Sequence, residues 1–384
     1  MEVKQIYPLV NTSASETLGI DNVLQEDLGN LVDVGDQIFN ASAFDRYVKS
    51  LVNQVGKMVF VSRPYRGSAP SVLMDAWQYG SVVEKIASEM PEAVENESWE
   101  LTDGASYDPN VFHQPKVNVK FFNKMTTFEI DRSITEMQVK QSFQSATQLN
   151  AFVSMLFNEV EKALTVANDN LIMRTINNMI AETVYDAFSG SAITGAGNTR
   201  AVNLLSRYNT EFSQSLTAAH AIYDPEFIRY AAYHMSLQTD RFTRMSTLFN
   251  VGGMQRFTPK DLLHIVTLSE FAAAADIYLQ SDTYHDEYTK LVNAERIPFW
   301  QGSGQGYAFG DTSKVYVTTA SGHSQTVTGV LGVMFDRDAL GVMNFNSRVT
   351  TNYNAKAEFT NYFYKRDARY FNDLNENFVV FYVA

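Results

Sequence analysis

The chain has 384 residues, 45% hydrophobic and 19% charged, which is enough apolar material for a sizeable core in two or three domains or one elaborated one. Its formal net charge of -13 argues against general affinity for duplex nucleic acid, which depends on clustered Lys and Arg. With no Cys, disulfides, thiolate nucleophiles and Cys-ligated metals are excluded, and the fold is held by packing alone. The opening MEVKQIYPLVNTS lacks the basic and apolar regions of a signal peptide, and no apolar run approaches the roughly 18 residues that span a bilayer, so neither secretion nor membrane insertion is expected.

Residues 1 to about 36 are rich in Asn, Asp, Glu, Ser and Gly and read as an extended or partly mobile arm. Between Gln37 and Pro70 the balance turns basic: Arg46, Lys49, Lys57, Arg63 and Arg66 face only Asp45, a net +4. Between Glu84 and Asp108 it turns acidic, with Glu84, Glu89, Glu92, Glu95, Glu97, Glu100, Asp103 and Asp108 against Lys85, a net -7. Strand-like segments flank this acidic stretch, roughly Ser71 to Ile86 and Lys116 to Ile130, the latter alternating Val117, Val119 and Phe121 with Lys116, Asn118 and Lys120. The pattern describes a long two-stranded excursion. Its tip holds turn residues and too few apolar groups to fold alone, so it is expected to lean on another subunit; the plainer reading is a solvated acidic hairpin.

From Lys116 to Ser189 there is no Gly or Pro, and a helix of about 38 residues is expected near Ala146 to Thr183. At 1.5 Å per residue it would be on the order of 55 Å long, well beyond an ordinary globular helix. Leu149, Phe152, Val153, Leu156, Val160, Ala163, Leu164, Ala167 and Leu171 step by three and four, opposite Asn150, Ser154, Asn158, Glu161 and Asp169, so one face is expected to be buried. Such a rod reads as a structural spine, or as a core helix of a large enzyme. A mixed α/β region follows over roughly 190 to 345, with helix starts at Asp224-Pro225-Glu226 and Pro259-Lys260-Asp261, an Ala-rich helix from Ser269 to Leu279, and strands at Lys314 to Thr319 and Val330 to Phe335. Arg348 to Ala384 is β-prone throughout and ends in the apolar run Phe378 to Val383.

Catalytic patterns are missing. Gly306 to Lys314 offers Gly310-Asp311-Thr312 where a phosphate loop needs Gly-Lys-Ser/Thr, and Gly302, Gly304 and Gly306 place Tyr307 where a dinucleotide turn needs a third Gly. There is no Gly-x-Ser-x-Gly elbow. The six His residues, 113, 220, 234, 264, 285 and 323, form no His-Glu-x-x-His pair, and His285-Asp286-Glu287 points in different directions on any helix. Asp336-Arg337-Asp338 reads as a self-satisfied ion cluster at a strand-to-helix turn. No cofactor, metal site or catalytic residue is therefore assigned.

Asp224-Pro225-Glu226-Phe227, Leu248-Phe249-Asn250 with Arg256-Phe257-Thr258-Pro259, GVLGVMFDRDALG around Val330 to Asp338, and YNAKAEFTNYFYKRDARYFNDLNENFVVFYVA from Tyr353 to Ala384 resemble the major capsid proteins of tailed bacteriophages. The resemblance covers most of the chain from about Met58 onward and implies the α+β Hong Kong 97-type capsid fold. That fold has an N-terminal arm (1–57), an extended β-hairpin loop with flanking strands (58–125), a peripheral domain with the spine helix (126–190 and 346–384) and an α/β axial domain (191–345).

The implied function is structural: self-association into pentamers and hexamers that form the icosahedral head around phage double-stranded DNA. The resemblance implies no enzyme activity, sequence-specific DNA binding or membrane contact. Scaffolding, portal and decoration proteins are possible partners, and assembly would take place in the host bacterial cytoplasm. In this family the extended loop lies across a neighbouring subunit. Glu89, Glu92, Glu95 and Glu97 are accordingly expected to meet Arg46, Lys49, Arg63 and Arg66 of the next copy. Some members crosslink a loop Lys to a neighbour's Asn, an activity not carried over to Lys85 because no local motif specifies it. The alternatives are an encapsulin-like nanocompartment of the same fold holding a cargo enzyme, and a carboxylate-based hydrolase. The terminal strand is expected beside the spine in the peripheral sheet.

Overall fold

The computed structural model describes residues 3–19, 30–40, 46, 47, 50, 69–74, 83–88, 90–135 apart from 92, 94, 97 and 99, 146–280, 294–302, 306, 308–319 and 322–384. The first of these correct the expectation of an extended arm. Val3–Leu18 (α1) and Leu31–Asn40 (α2) are helices. Val10 with Ala14, and Val34 with Ile38, are buried at i,i+4 spacing, and α1 packs on α2. The polar composition of the segment, together with Pro8 inside α1, hid these two short stripes.

Strands β1 (Leu73–Met74), β2 (Val83–Ser88), β3 (Val117–Phe122) and β4 (Met125–Thr135) follow. The single strand expected from Lys116 to Ile130 is thus two, because the chain changes partner at Asn123 and Lys124: β3 pairs with β2, while β4 pairs with a strand far along the chain. The long helix, α3, runs Ala146–Phe188 over 43 residues, about 65 Å at the helical rise. Val160, Leu164 and Leu171 are buried as expected, whereas Ala163 is exposed and Ala167 half-buried. The side chains at 146–159 and 161 lie outside the described ones. From Asn168 onward burial spreads around the helix and takes in Asn168, Thr175, Asn177 and Thr183, because strands of both large sheets pack against it.

Next come β5 (Ala201–Asn203), α4 (Leu204–Phe212), α5 (Ala218–Ala221) and α6 (Pro225–Phe242), the last capped by Asp224, whose carboxylate accepts from Phe227 N at 2.8 Å. Pro259 does not start a helix. Leu262 N closes a turn on Pro259 O at 3.0 Å and β6 (Leu263–Leu268) follows, its apolar residues held between two ladders. After α7 (Ser269–Gln280) come β7 (Ala294–Ile297), α8 (Phe309–Thr312), β8 (Val315–Thr318), β9 (Ser324–Val327), β10 (Val330–Asp336), β11 (Leu340–Asn354), β12 (Phe359–Asn372) and β13 (Phe378–Tyr382). Asp336 to Asp338 joins β10 to β11, a strand-to-strand turn where a strand-to-helix turn was expected; the Asp336 carboxylate accepts from Asp338 N at 2.9 Å and from Thr258 Oγ1 at 2.7 Å.

One sheet has the order β1-β11-β12-β4, the other β5-β13-β10-β6-β7, with β2-β3 and β8-β9 as separate two-stranded ribbons. The terminal strand β13 therefore lies between β5 and β10 in the five-stranded sheet. It is not in the sheet of β4, β11 and β12, where it was expected. All five of its residues are buried, the pattern of a strand covered on both faces. The main core lies between this sheet, α3, α6 and α7, around Phe227, Phe271, Trp300, Phe335 and Phe381. Gly329 turns the chain into β10 with φ +69, and a Cβ there would stand 2.0 Å from Val383 O.

Removing Asn377–Ala384 should leave insoluble protein, since β5 and β10 lose their shared partner; a soluble, folded truncation would contradict this placement. Gly329→Ala should lower stability by about 1–3 kcal/mol in a denaturant titration.

Candidate functional site

The β2–β3 ribbon stands out because its two faces meet different fates. Register pairs Ile86 with Val119, Lys85 with Lys120, Glu84 with Phe121 and Val83 with Phe122. Side chains alternate across a strand, so Lys85, Lys120 and Phe122 share one face, and Ile86, Val117, Val119 and Phe121 share the other.

The first face is docked on its own subunit. Lys85 Nζ lies 3.1 Å from Asp373 Oδ2 and 2.7 Å from Glu376 Oε1, and Lys120 Nζ lies 3.0 Å from Asp373 Oδ1. Arg256 Nε donates to Glu376 Oε1 at 3.1 Å, and Lys85 Nζ also donates to Asp338 O at 3.2 Å. Two lysines directly opposite each other would repel, and Asp373 removes that cost by offering one oxygen to each. Both carboxylates belong to the turn between β12 and β13, and their side chains are only 2% and 9% exposed. Phe122 meets Phe371 with ring centroids 5.2 Å apart. Burial pushes the Asp373 carboxyl up, but Lys85, the Asn375 N–H and Lys120 outweigh it and hold its pKa below the usual value.

The second face is bare. Ile86, Val117, Val119 and Phe121 are 66%, 53%, 44% and 64% exposed, a contiguous apolar stripe on a two-stranded ribbon. Beyond it the tip also exposes Leu101, Tyr107, Val111 and Phe112, and its described hydrogen bonds are local, such as Asn110 N to Asp108 Oδ1 at 2.9 Å.

Of the residues expected to pair between subunits, Glu95 is exposed on the tip. Arg46 is exposed and reaches Thr17 O of its own chain at 3.5 Å. Glu89, Glu92, Glu97, Lys49, Arg63 and Arg66 lie outside the described residues. No acid–base pair from that set is brought together among the described residues. The apolar stripe was absent from the expected contacts, although the alternation of Val117, Val119 and Phe121 was its signal. Among the described residues, no three His, Asp or Glu side chains are grouped to hold a metal, and no helix is long and apolar enough to cross a membrane.

The described residues form a mixed fold with a very long helix, two large sheets and a ribbon with a bare apolar face. The structure is similar to the capsid structure of Staphylococcus phage Andhra, at 10% identity over 84% of this chain and 86% of that chain, with a TM-score of 0.50. It is also similar to a chain in the structure of head fiber and inner core protein gp22 of native bacteriophage P68, at 8% identity over 82% and 83% of the two chains, with a TM-score of 0.50. No curated protein sequence matches the chain. Residues 10–382 match the Phi29-like phage major capsid protein family, and the chain belongs to that family. Its fold is the Hong Kong 97-type capsid fold, and its role is that of a structural subunit of the phage head shell, located in the virion capsid.

Lys85→Met should weaken the ribbon's attachment by roughly 1.5–3 kcal/mol, read as faster hydrogen exchange in Val83–Ser88. Because the folded pKa of Asp373 is depressed, its contribution is present above the ordinary carboxyl pKa of about 3.9 and is lost as pH falls through the folded value. Exchange in the ribbon should therefore rise below about pH 4, and Asp373→Asn should flatten that part of the pH dependence.

Proposed function

We propose that this chain self-associates into hexamers and pentamers that close an icosahedral head around packaged double-stranded DNA, with the β2–β3 hairpin of each copy lying across its neighbour. The observation that carries the reading is the stripe of Ile86, Val117, Val119 and Phe121: one face of the ribbon is fastened to its own subunit and the other is left for another. The sheet of β1, β11, β12 and β4 with the long helix forms the peripheral part of the subunit. The five-stranded sheet with its helices forms the axial part, where copies gather around each capsomer centre. Scaffolding, portal and decoration proteins are the further partners of such a shell, and assembly takes place in the host cytoplasm.

A net charge of -13 suits a container for DNA: an acidic wall does not bind phosphates, so the genome stays free to move during packaging. Nothing in the comparisons supports the encapsulin-like or hydrolase readings.

Val119→Asp combined with Phe121→Asp tests the contact. Both residues are exposed in the free subunit, so the variant should remain soluble and folded, whereas in a shell each carboxylate would be buried without a partner. Particle yield by sedimentation should fall at least tenfold. Wild-type yield would remove the hairpin from the assembly contact.

A further inference from the structure

Beside the hairpin base, the segment between α6 and β6 forms a braced loop. Ser246 and Arg256 exchange backbone hydrogen bonds in both directions, at 2.9 and 3.0 Å. The buried Asn250 side chain donates to Met254 O at 2.7 Å and accepts from Met254 N at 2.8 Å. Thr199 Oγ1 donates to Leu248 O at 2.8 Å, and Arg200 donates to Asn250 O at 3.0 Å. A loop tied this often keeps its shape without a cover. It nevertheless exposes Met245, Leu248 and Phe257 at 46%, 54% and 50%. Its Thr247, Met254 and Arg256, together with Ser88 and Met90 from the hairpin, line an open cavity of 330 Å³.

The charge of this loop runs against that of the chain. Residues 241–260 hold Arg241, Arg244, Arg256 and Lys260 and no carboxylate, in a protein of net charge -13. Arg256 is shared with Glu376 and Lys260 with Asp240, while Arg241 and Arg244 are exposed. The hairpin tip is the reverse: residues 89–115 hold seven Asp and Glu and no Lys or Arg. Like the loop it bares apolar groups, Leu101 at 65% and Phe112 at 83%. Met90 at the start of the tip adjoins the loop of its own subunit, but the exposure of Leu101 and Phe112 shows that the outer part of the tip is not seated there. The two surfaces are opposite in charge and alike in apolar character, which is what a complementary contact requires.

Building on the proposed shell, we infer that the tip of one subunit's hairpin docks on the braced 241–260 loop of a second copy. Phe112 and Leu101 meet Leu248, Phe257 and the methionine-lined cavity, while Glu95, Glu100 and Asp103 face Arg241 and Arg244. This receiving surface differs from the basic stretch Arg46 to Arg66, whose one described member, Arg46, is turned to Thr17 O of its own chain.

The absence of native Cys makes the test clean. Phe112→Cys and Leu248→Cys are made as separate single variants, co-assembled into particles and oxidised. A disulfide-linked band at about twice the 43.2 kDa chain mass, formed only when both variants share a particle, is the expected result. No such band in well-formed mixed particles would overturn the docking while leaving the shell intact. A link appearing instead between Phe112→Cys and Arg46→Cys would place the tip on the basic stretch and equally overturn it. Failure of the wild-type chain to form particles under any assembly condition would remove the shell reading and the docking together. As a second readout, Arg241→Glu with Arg244→Glu should lower particle yield at least fivefold, and adding Glu95→Lys with Glu100→Lys should restore it. Unchanged yield in the loop variant, or no rescue, counts against the contact.

Discussion

A two-stranded ribbon has two faces and no interior, so it is stable only if something else covers it. That constraint organises the molecule. The covered face of β2–β3 is bound by two buried carboxylates, Asp373 and Glu376, holding Lys85, Lys120 and Arg256. Burying these two carboxylates is tolerable because each has two cationic partners within hydrogen-bond distance, and the cations keep contact with solvent. The uncovered face has no such device: Ile86, Val117, Val119 and Phe121 stand in water there, with Glu84 and Ser88 at the ends of the stripe.

The same short turn that grips the hairpin feeds the terminal strand. Asn377 Nδ2 donates to Thr258 Oγ1 at 3.1 Å, and Thr258 Oγ1 donates to Asp336 Oδ2 at 2.7 Å, so the entry to β13 is tied to the end of β10 within the buried core. From there β13 joins β5 to β10, and the Asn203 side chain donates to Ala384 O at 2.8 Å. The anchor of the ribbon and the centre of the larger sheet are thus neighbours in both sequence and space. A disturbance at Asp373 reaches the ribbon, while one at Phe378 reaches the sheet. The long helix packs against strands of both sheets.

The legible parts of this architecture were local. The long helix announced itself by a run without Gly or Pro, and the helix at Pro225 by its Asp-Pro-Glu start. The hairpin follows from two strand-like segments, the second of them alternating, around an acidic tip. What failed was nonlocal or diluted. The helical stripes of Val10 with Ala14 and Val34 with Ile38 are two residues each in a polar segment, too sparse to override composition. The all-apolar Phe378 to Tyr382 read correctly as a buried strand, but its neighbours β5 and β10 are chosen by contacts that no local pattern encodes. Likewise the alternation in β3 gave two faces without saying which would dock, because that choice belongs to Asp373 and Glu376, far along the chain. The charged residues of the hairpin are plain in composition, whereas the apolar stripe beside them becomes a bare face only once the other face is docked.

The central claim is that the bare face of the ribbon becomes buried when subunits join. Thiol labelling of Val119→Cys, in a chain that otherwise has no Cys, measures this directly in free subunits and in closed particles. Labelling at least tenfold slower in particles is the predicted result. Equal rates in the two states would show that the stripe stays in solvent and that the shell is held together elsewhere.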